Sequence, residues 1–462
     1  MLYRTFIYGG KMDLRYILGI AILLTLVNYG WSSKIIIAPS GSDHTSIQQG
    51  VNDANPGDTI LVKSGIYKET VSFSKSGSEN TYITLLGEAG AIIDGSEDGV
   101  VGITILNTNY IKVIGMEIQN FRGRRVPVGI SVRGSSSHIE LRNNKVHHIE
   151  NATGNAHGIA FYGTELTPIN DIIVDGNEIR NCKLGQSESL VLNGNVTNFV
   201  VSNNVIHDND NIGIDFIGFE RTGPEGFNQA RNGICFGNIV YNISTKTNPT
   251  YHDLNSDGIY ADGGRNIIIE RNIVYNCDIG IELASEHGGK STENIIVRNN
   301  FVSGSYQANI MAGGYAPNRG NAVNIAIVNN TTYMGRQGEV ALQNNCDSIT
   351  IKNNIFYGES DQSYLQNRGI RNKNIVVYNN IYYGQSSSSP GSWSDANAKY
   401  VNPLLVNPYT NMHLNSGSPA IDAGIDIGTD ENKSHLSGTE DIDNQSRIEN
   451  GIMDIGADEF KL

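Results

Sequence analysis

From about residue 139 onward one phrase recurs along the chain: a short β-branched run, then Asn or Gly, then Asn, then another apolar run. Copies include Ile139-Glu140-Leu141-Arg142-Asn143-Asn144, Ile172-Ile173-Val174-Asp175-Gly176-Asn177, Ile295-Ile296-Val297-Arg298-Asn299-Asn300 and Ile375-Val376-Val377-Tyr378-Asn379-Asn380. The closing Asn falls at 144, 177, 204, 238, 272, 300, 330, 354 and 380, a period of 24 to 34 residues. A unit of that length cannot bury its apolar face alone and must stack on its neighbours, which restricts the chain to a solenoid. The runs are strand-length and leave no room for the helices of helical repeats.

Each copy holds two or three such runs separated by polar turns, the content of one coil of a parallel β-helix. The expected fold is all-β: a single-stranded right-handed parallel β-helix of about ten to twelve coils over residues 34–398, with a short N-terminal helical cap and a closing segment over 399–462. Equivalent residues of stacked coils lie about 4.8 Å apart, so the recurrent Asn is expected to form a ladder of side-chain amides bonded along the axis. Its role is structural.

With 39% hydrophobic and 17% charged residues among 462, the composition is that of a folded chain. A formal net charge of −14 argues against a nucleic-acid partner, since phosphate contacts need a basic face. Tyr16 to Val27 form an apolar run behind Lys11 and Arg15, short for a membrane span and suited to an export signal. Residues 1–33 are therefore expected to be removed, leaving an extracytoplasmic, monomeric protein with no membrane span; a retained signal anchor is the alternative. Four cysteines are too few for a disulfide framework. Cys182 and Cys277 hold the same place in two copies and are expected to be buried thiols.

The phrase Thr45-Ser46-Ile47-Gln48-Gln49-Gly50-Val51-Asn52-Asp53-Ala54-Asn55-Pro56-Gly57-Asp58, running on to Gly65-Ile66-Tyr67-Lys68-Glu69, and the tail Ser418-Pro419-Ala420-Ile421-Asp422-Ala423-Gly424 with Asp454-Ile455-Gly456-Ala457-Asp458-Glu459-Phe460 complete the picture. Together with the repeat they resemble the pectin-lyase-like superfamily of secreted β-helix proteins. The resemblance implies a helix capping the first coil, here with Ser46 as N-cap and Ile47 and Val51 facing the core. It also implies export and, for many members, action on polysaccharides. It leaves the reaction open, because lyases, glycosidases, epimerases and non-enzymatic surface proteins share the fold.

After each Asn turn a second strand opens with Gly-Ile or a similar pair, as in Gly213-Ile214-Asp215, Gly258-Ile259-Tyr260 and Gly280-Ile281-Glu282. Side chains alternate along a strand, so Ile faces inward and the first and third residues after it face out. Laid on one another, these strands give an outward column Ala160, Asp215, Tyr260, Glu282, Met311, flanked by Tyr162, Ile217, Asp262, Ala284 and Gly313. The expectation is one exposed patch holding three carboxylates and two tyrosines. Loops single out the same place: Ile to the next Asn turn takes 13 residues from Ile259, but 24 from Ile214, 19 from Ile281 and 20 from Ile310. Insertions on one face of a repeat protein build its binding surface.

Asp215 and Glu282 would stand two coils apart, roughly 9–10 Å between Cα atoms, within reach of the carboxyl spacing of inverting glycosidases. The expected function is binding and cleavage of a polysaccharide by paired carboxylates: Asp262 and Glu282 carry the chemistry, Asp215, Glu286 and His287 assist, and Tyr162, Tyr260, Tyr315, Arg265 and Lys290 bind substrate. The alternatives are a Ca²⁺-dependent lyase acting on a uronate polymer, for which Lys290 and Arg265 are the nearest basic groups, and a non-catalytic surface β-helix. Asp253, Asn255 and Asp257 form the first half of a Ca²⁺ loop closed by Gly258, although Gly264 stands where that loop needs Glu. Ca²⁺ is the candidate cofactor, and no organic cofactor is expected.

Overall fold

Each turn of the chain lays one short strand into each of three parallel sheets, and the coils stack so that like residues lie over like. The computed structural model describes residues 32–461 except 98, 152, 252, 360, 385–388, 430–434 and 450. The apolar N-terminal run lies outside the described residues. The first sheet has 13 strands, from Lys34–Ile37 to Lys373–Tyr378; the second has 12, from Gly65–Tyr67 to Ile381–Tyr383; the third has 11, from Val71–Phe73 to Leu365–Asn367. This is the right-handed β-helix that the repeat demands.

In-register stacking builds the core. Ile267, Ile295, Ile325, Ile349 and Ile375 are successive neighbours in the first sheet. Where the repeat gives Gly233 instead of Ile, the Phe199 ring of the preceding coil fills the space: a Cβ on Gly233 would lie 2.0 Å from it. That ring stacks on Phe216 of the third sheet at 5.0 Å.

The Asn ladder forms, and its two Asn positions do different work. The closing Asn is buried, and its amide donates to the next: Asn144 to Asn177 at 2.9 Å, Asn238 to Asn272 at 2.9 Å, Asn354 to Asn380 at 2.9 Å, ending on Asp395 at 2.8 Å. The residue before it turns the chain with positive φ, as at Asn143 (53°), Asn203 (54°), Asn299 (55°) and Asn353 (55°). Asn and Gly tolerate that conformation, which explains their alternation there.

The N-terminal end is covered by the helix Ile47–Asp53, whose N-cap is Ser46 and whose buried face holds Ile47 and Val51. The Glu69 carboxylate accepts the Ile47 and Gln48 N–H groups at 2.8 and 3.1 Å. At the other end, Leu405–Asn407 pairs antiparallel with Asn411–Leu414. The chain then returns along the outside of the first sheet. Ile427 and Leu436 pack over Ile268, Ile296 and Ala326, Asn299 donates to Ser437 O at 2.8 Å, and Asn353 donates to Ile425 O at 2.8 Å. The four cysteines are buried and free, and burial pushes the Cys182 thiol up to about 12.

Candidate active-site groove

The third sheet carries the acidic column. Ile214, Phe216, Ile259, Ala261, Ile281 and Leu283 face the core, so Asp215, Tyr260, Asp262 and Glu282 face outward, as alternation requires. Asp215 neighbours Tyr260, Tyr260 neighbours Glu282, and Glu282 neighbours Met311. Two features of the expected patch are corrected. The strand Leu190–Gly194 intervenes between Ala160 and Asp215, placing Val191 beside both; it opens with Ser-Leu, so the Gly-Ile signal passes over it. Nor is the column exposed: Asp215 is 1%, Asp262 5%, Tyr260 6% and Glu282 7% accessible. The long loops stand over the sheet as walls.

Those walls leave a groove of about 590 Å³, lined by Tyr251, Asn255, Asp257, Tyr260, Glu282, Glu286, Tyr315, Gln343 and Arg368 among others. A larger hollow of about 750 Å³ over the first sheet has only Asn, Thr, Gly and apolar side chains in its described lining, with no group that could move a proton. The acidic groove offers several such groups.

Burial and mutual repulsion raise every carboxyl of this cluster. Glu282 is pushed up to about 7, first by burial; the Glu286 charge adds to the rise, while hydrogen bonds with Asp257 and Gln343 and the Arg368 charge oppose it. Gln343 Nε2 donates to Glu282 Oε1 at 2.8 Å. Asp257 rises through burial and through Glu282, with which it shares a hydrogen bond. Asp215 rises through burial and the charges of Glu188, Asp262 and Glu286. One carboxylate oxygen of Asp215 and one of Asp257 are buried without a partner. Asp262 rises through burial and Glu286, and its Oδ1 accepts the Glu286 backbone N–H at 3.1 Å. Glu286 itself is exposed at the rim.

The remaining expected site residues separate. Tyr260 and Tyr315 line the groove, Tyr315 with Arg319 over its ring at 5.0 Å. Tyr162 lies toward the N-terminal end of the same sheet, where it meets His157 Nε2 at 2.8 Å and the Arg133 guanidinium at 5.3 Å. His287 pairs with Glu220 at 2.8 Å, Lys290 sits over the Phe219 ring at 5.3 Å, and Arg265 reaches Glu293 at 3.8 Å. None of these four is in the groove lining. The basic group that does line it is Arg368, which sequence reasoning missed along with Gln343 and Glu188. All three flank strands that lack Gly-Ile: Leu365–Asn367, Val340–Leu342 and Leu190–Gly194.

Of the residues of the expected Ca²⁺ loop, Asp253 and Asn255 meet at one hydroxyl and Asp257 lines the groove. The Thr245 hydroxyl bonds the Asp253 carbonyl at 2.5 Å and Asn255 Oδ1 at 3.0 Å, while Asp257 belongs to the strand Asp257–Asp262 and lines the groove with Glu282.

Residues 101–316 match the family described as right handed beta helix region. The uncharacterized protein YwoF of Bacillus subtilis (strain 168) is 33% identical over 368 residues, 73% of this chain and 77% of that protein. Among solved structures, the pectate lyase Pel9A superposes with a TM-score of 0.53 at 15% identity, covering 93% of this chain and 97% of that one. The family PL6 alginate lyase AlyGC gives 0.54 at 16%, covering 79% of this chain and 53% of its own, so this chain spans about half its length. The family GH136 lacto-N-biosidase from Eubacterium ramulus gives 0.51 at 11%, covering 76% and 68%. These likenesses are of fold. Sequence and architecture agree that the chain belongs to the right-handed parallel β-helix family that includes YwoF.

Proposed function

We propose that the groove over the third sheet binds a saccharide chain and hydrolyses a glycosidic bond, with Glu282 as the proton donor and Glu286 as the base. The observation that carries this reading is the Glu282 carboxyl, held protonated up to about pH 7 in a groove lined with three tyrosines. A glycosidase needs one carboxyl that keeps its proton and another that has lost it. Carboxyls that repel one another do not ionise together, and the most solvated releases its proton first. Here that is Glu286 at the rim, whose charge in turn helps to hold the proton on Glu282.

Asp262 does not line the groove. Its carboxylate accepts the Glu286 N–H, so it acts as a positioning residue for the base. Tyr260 and Tyr315 offer ring faces to the apolar sides of sugar rings. The β-helix enzymes that share the fold include the lacto-N-biosidase, in keeping with a carbohydrate-active protein.

One observation favours a second reading, β-elimination from a uronate polymer: Arg368 places a guanidinium in the groove beside Glu282, where it could pair with a substrate carboxylate. The named lyases of the same fold are in keeping with it. Incubating the protein with neutral and uronate polysaccharides, with and without EDTA, separates the two. New reducing ends without ultraviolet-absorbing unsaturated products support hydrolysis; unsaturated products support elimination. If no polysaccharide in the panel is cut, both enzymatic readings give way to a binding protein.

A further inference from the structure

Outside the groove, His413, Asp443 and Asp458 bring one ligand atom each to within 4.8 Å of one another. They come from three separate parts of the closing segment: the strand Asn411–Leu414, the turn near residue 443 and the tail that ends the solenoid. We infer that these three side chains form a binding site for a divalent transition-metal ion of the zinc type. The inference is independent of what the groove does.

The imidazole supplies the telling geometry. His413 Nδ1 faces Asn411 Oδ1, so that edge of the ring is occupied and Nε2 is the edge turned toward Asp443. Nε2 is buried and lies 3.0 Å from Asp443 Oδ2. Two donor atoms at that separation are spaced as neighbouring ligands of one ion are.

Each ligand is also held from behind, as metal ligands are. The His413 ring packs edge-on against Phe301 of the solenoid at 5.1 Å. Asp458, 5% accessible, is fixed by the Leu414 N–H at 2.7 Å. The Asp443 N–H donates to Asp441 Oδ1 at 3.0 Å, and Asp441 is occupied by other backbone donors too. One imidazole with two carboxylates suits Zn²⁺ and its neighbours, whereas Ca²⁺ and Mg²⁺ take oxygen donors. The partly exposed Asp443 leaves one side for water. Such an ion would tie together the three strands of chain that close the C-terminal end.

The test is calorimetric titration of the EDTA-stripped full chain with ZnSO₄. The expected result is saturable binding of one ion that is weakened in both His413→Gln and Asp458→Asn by at least the roughly 10–100-fold that loss of an outer partner costs. Asp458→Asn keeps an acceptor for the Leu414 N–H, and circular dichroism checks that the variants fold. Should either fail to fold, Asp443→Asn, at a partly exposed position, decides in its place. Glu282→Gln in the groove should leave the isotherm unchanged. No saturable Zn²⁺ binding by the wild type would mean a plain His–Asp ion pair, and binding that survives in the folded site variants or is lost in Glu282→Gln would place the ion elsewhere; each overturns the inference.

Discussion

Replacing Glu282 by Gln should make the protein more stable at alkaline pH while abolishing its activity. Burial and neighbouring charge raise this carboxyl from 4.5 to about 7. At about 1.4 kcal/mol per pH unit, holding it ionised inside the folded protein costs about 3 kcal/mol. Between pH 4.5 and about 7 the native state keeps a proton that the unfolded chain has released, so stability contributed by this group falls as pH rises through that window. Below the window both states are protonated and the cost vanishes. Glu282→Gln retains an acceptor for Gln343 Nε2, now at 2.8 Å, and has no proton to lose. Urea unfolding followed by circular dichroism should therefore give nearly equal stabilities for variant and wild type at about pH 4, and an advantage to the variant of about 3 kcal/mol at about pH 8. An equal difference at both pH values would refute the raised carboxyl, and with it the assignment of Glu282 as proton donor.

Asn272→Ala removes two amide bonds donated to Asn300 Oδ1 and Cys235 O and two accepted from Asn238, all buried. At about 0.5–1.5 kcal/mol each, urea melts should show a loss of about 2–6 kcal/mol, and a loss below about 1 kcal/mol would show the ladder to be dispensable. Gly233→Ala drives a methyl into the Phe199 ring and should cost about 1–3 kcal/mol, whereas restoring space with the pair Gly233→Ala and Phe199→Leu should recover part of it in a double-mutant cycle. The four buried thiols should resist a thiol reagent in the native protein and react once it is unfolded in urea.

The solenoid was legible because its most constrained position repeats: the ladder Asn must be Asn, whose side chain alone both accepts a backbone N–H and donates along the axis. The outward direction of Asp215, Tyr260, Asp262 and Glu282 was legible for a similar reason, since alternation along a strand is rigid. Burial was not, because it depends on how loops fold over the sheet, and loop length alone does not say which side chains they shield. Glu188, Gln343 and Arg368 escaped notice because their strands open with residues other than Gly-Ile. The division of labour between Asp262 and Glu286 turns on one backbone N–H that leaves no trace in the sequence.

The returning C-terminal chain changes how the solenoid would come apart. In a bare stack each rung touches only the next, and a pull on the end peels rungs away one at a time. Here the last forty residues are fastened to Arg271, Asn299, Asn329, Asn353 and Asn379, on five successive rungs. A force on the C-terminus is shared among them in shear, so these rungs should yield together as one unit, far above what any single rung could withstand.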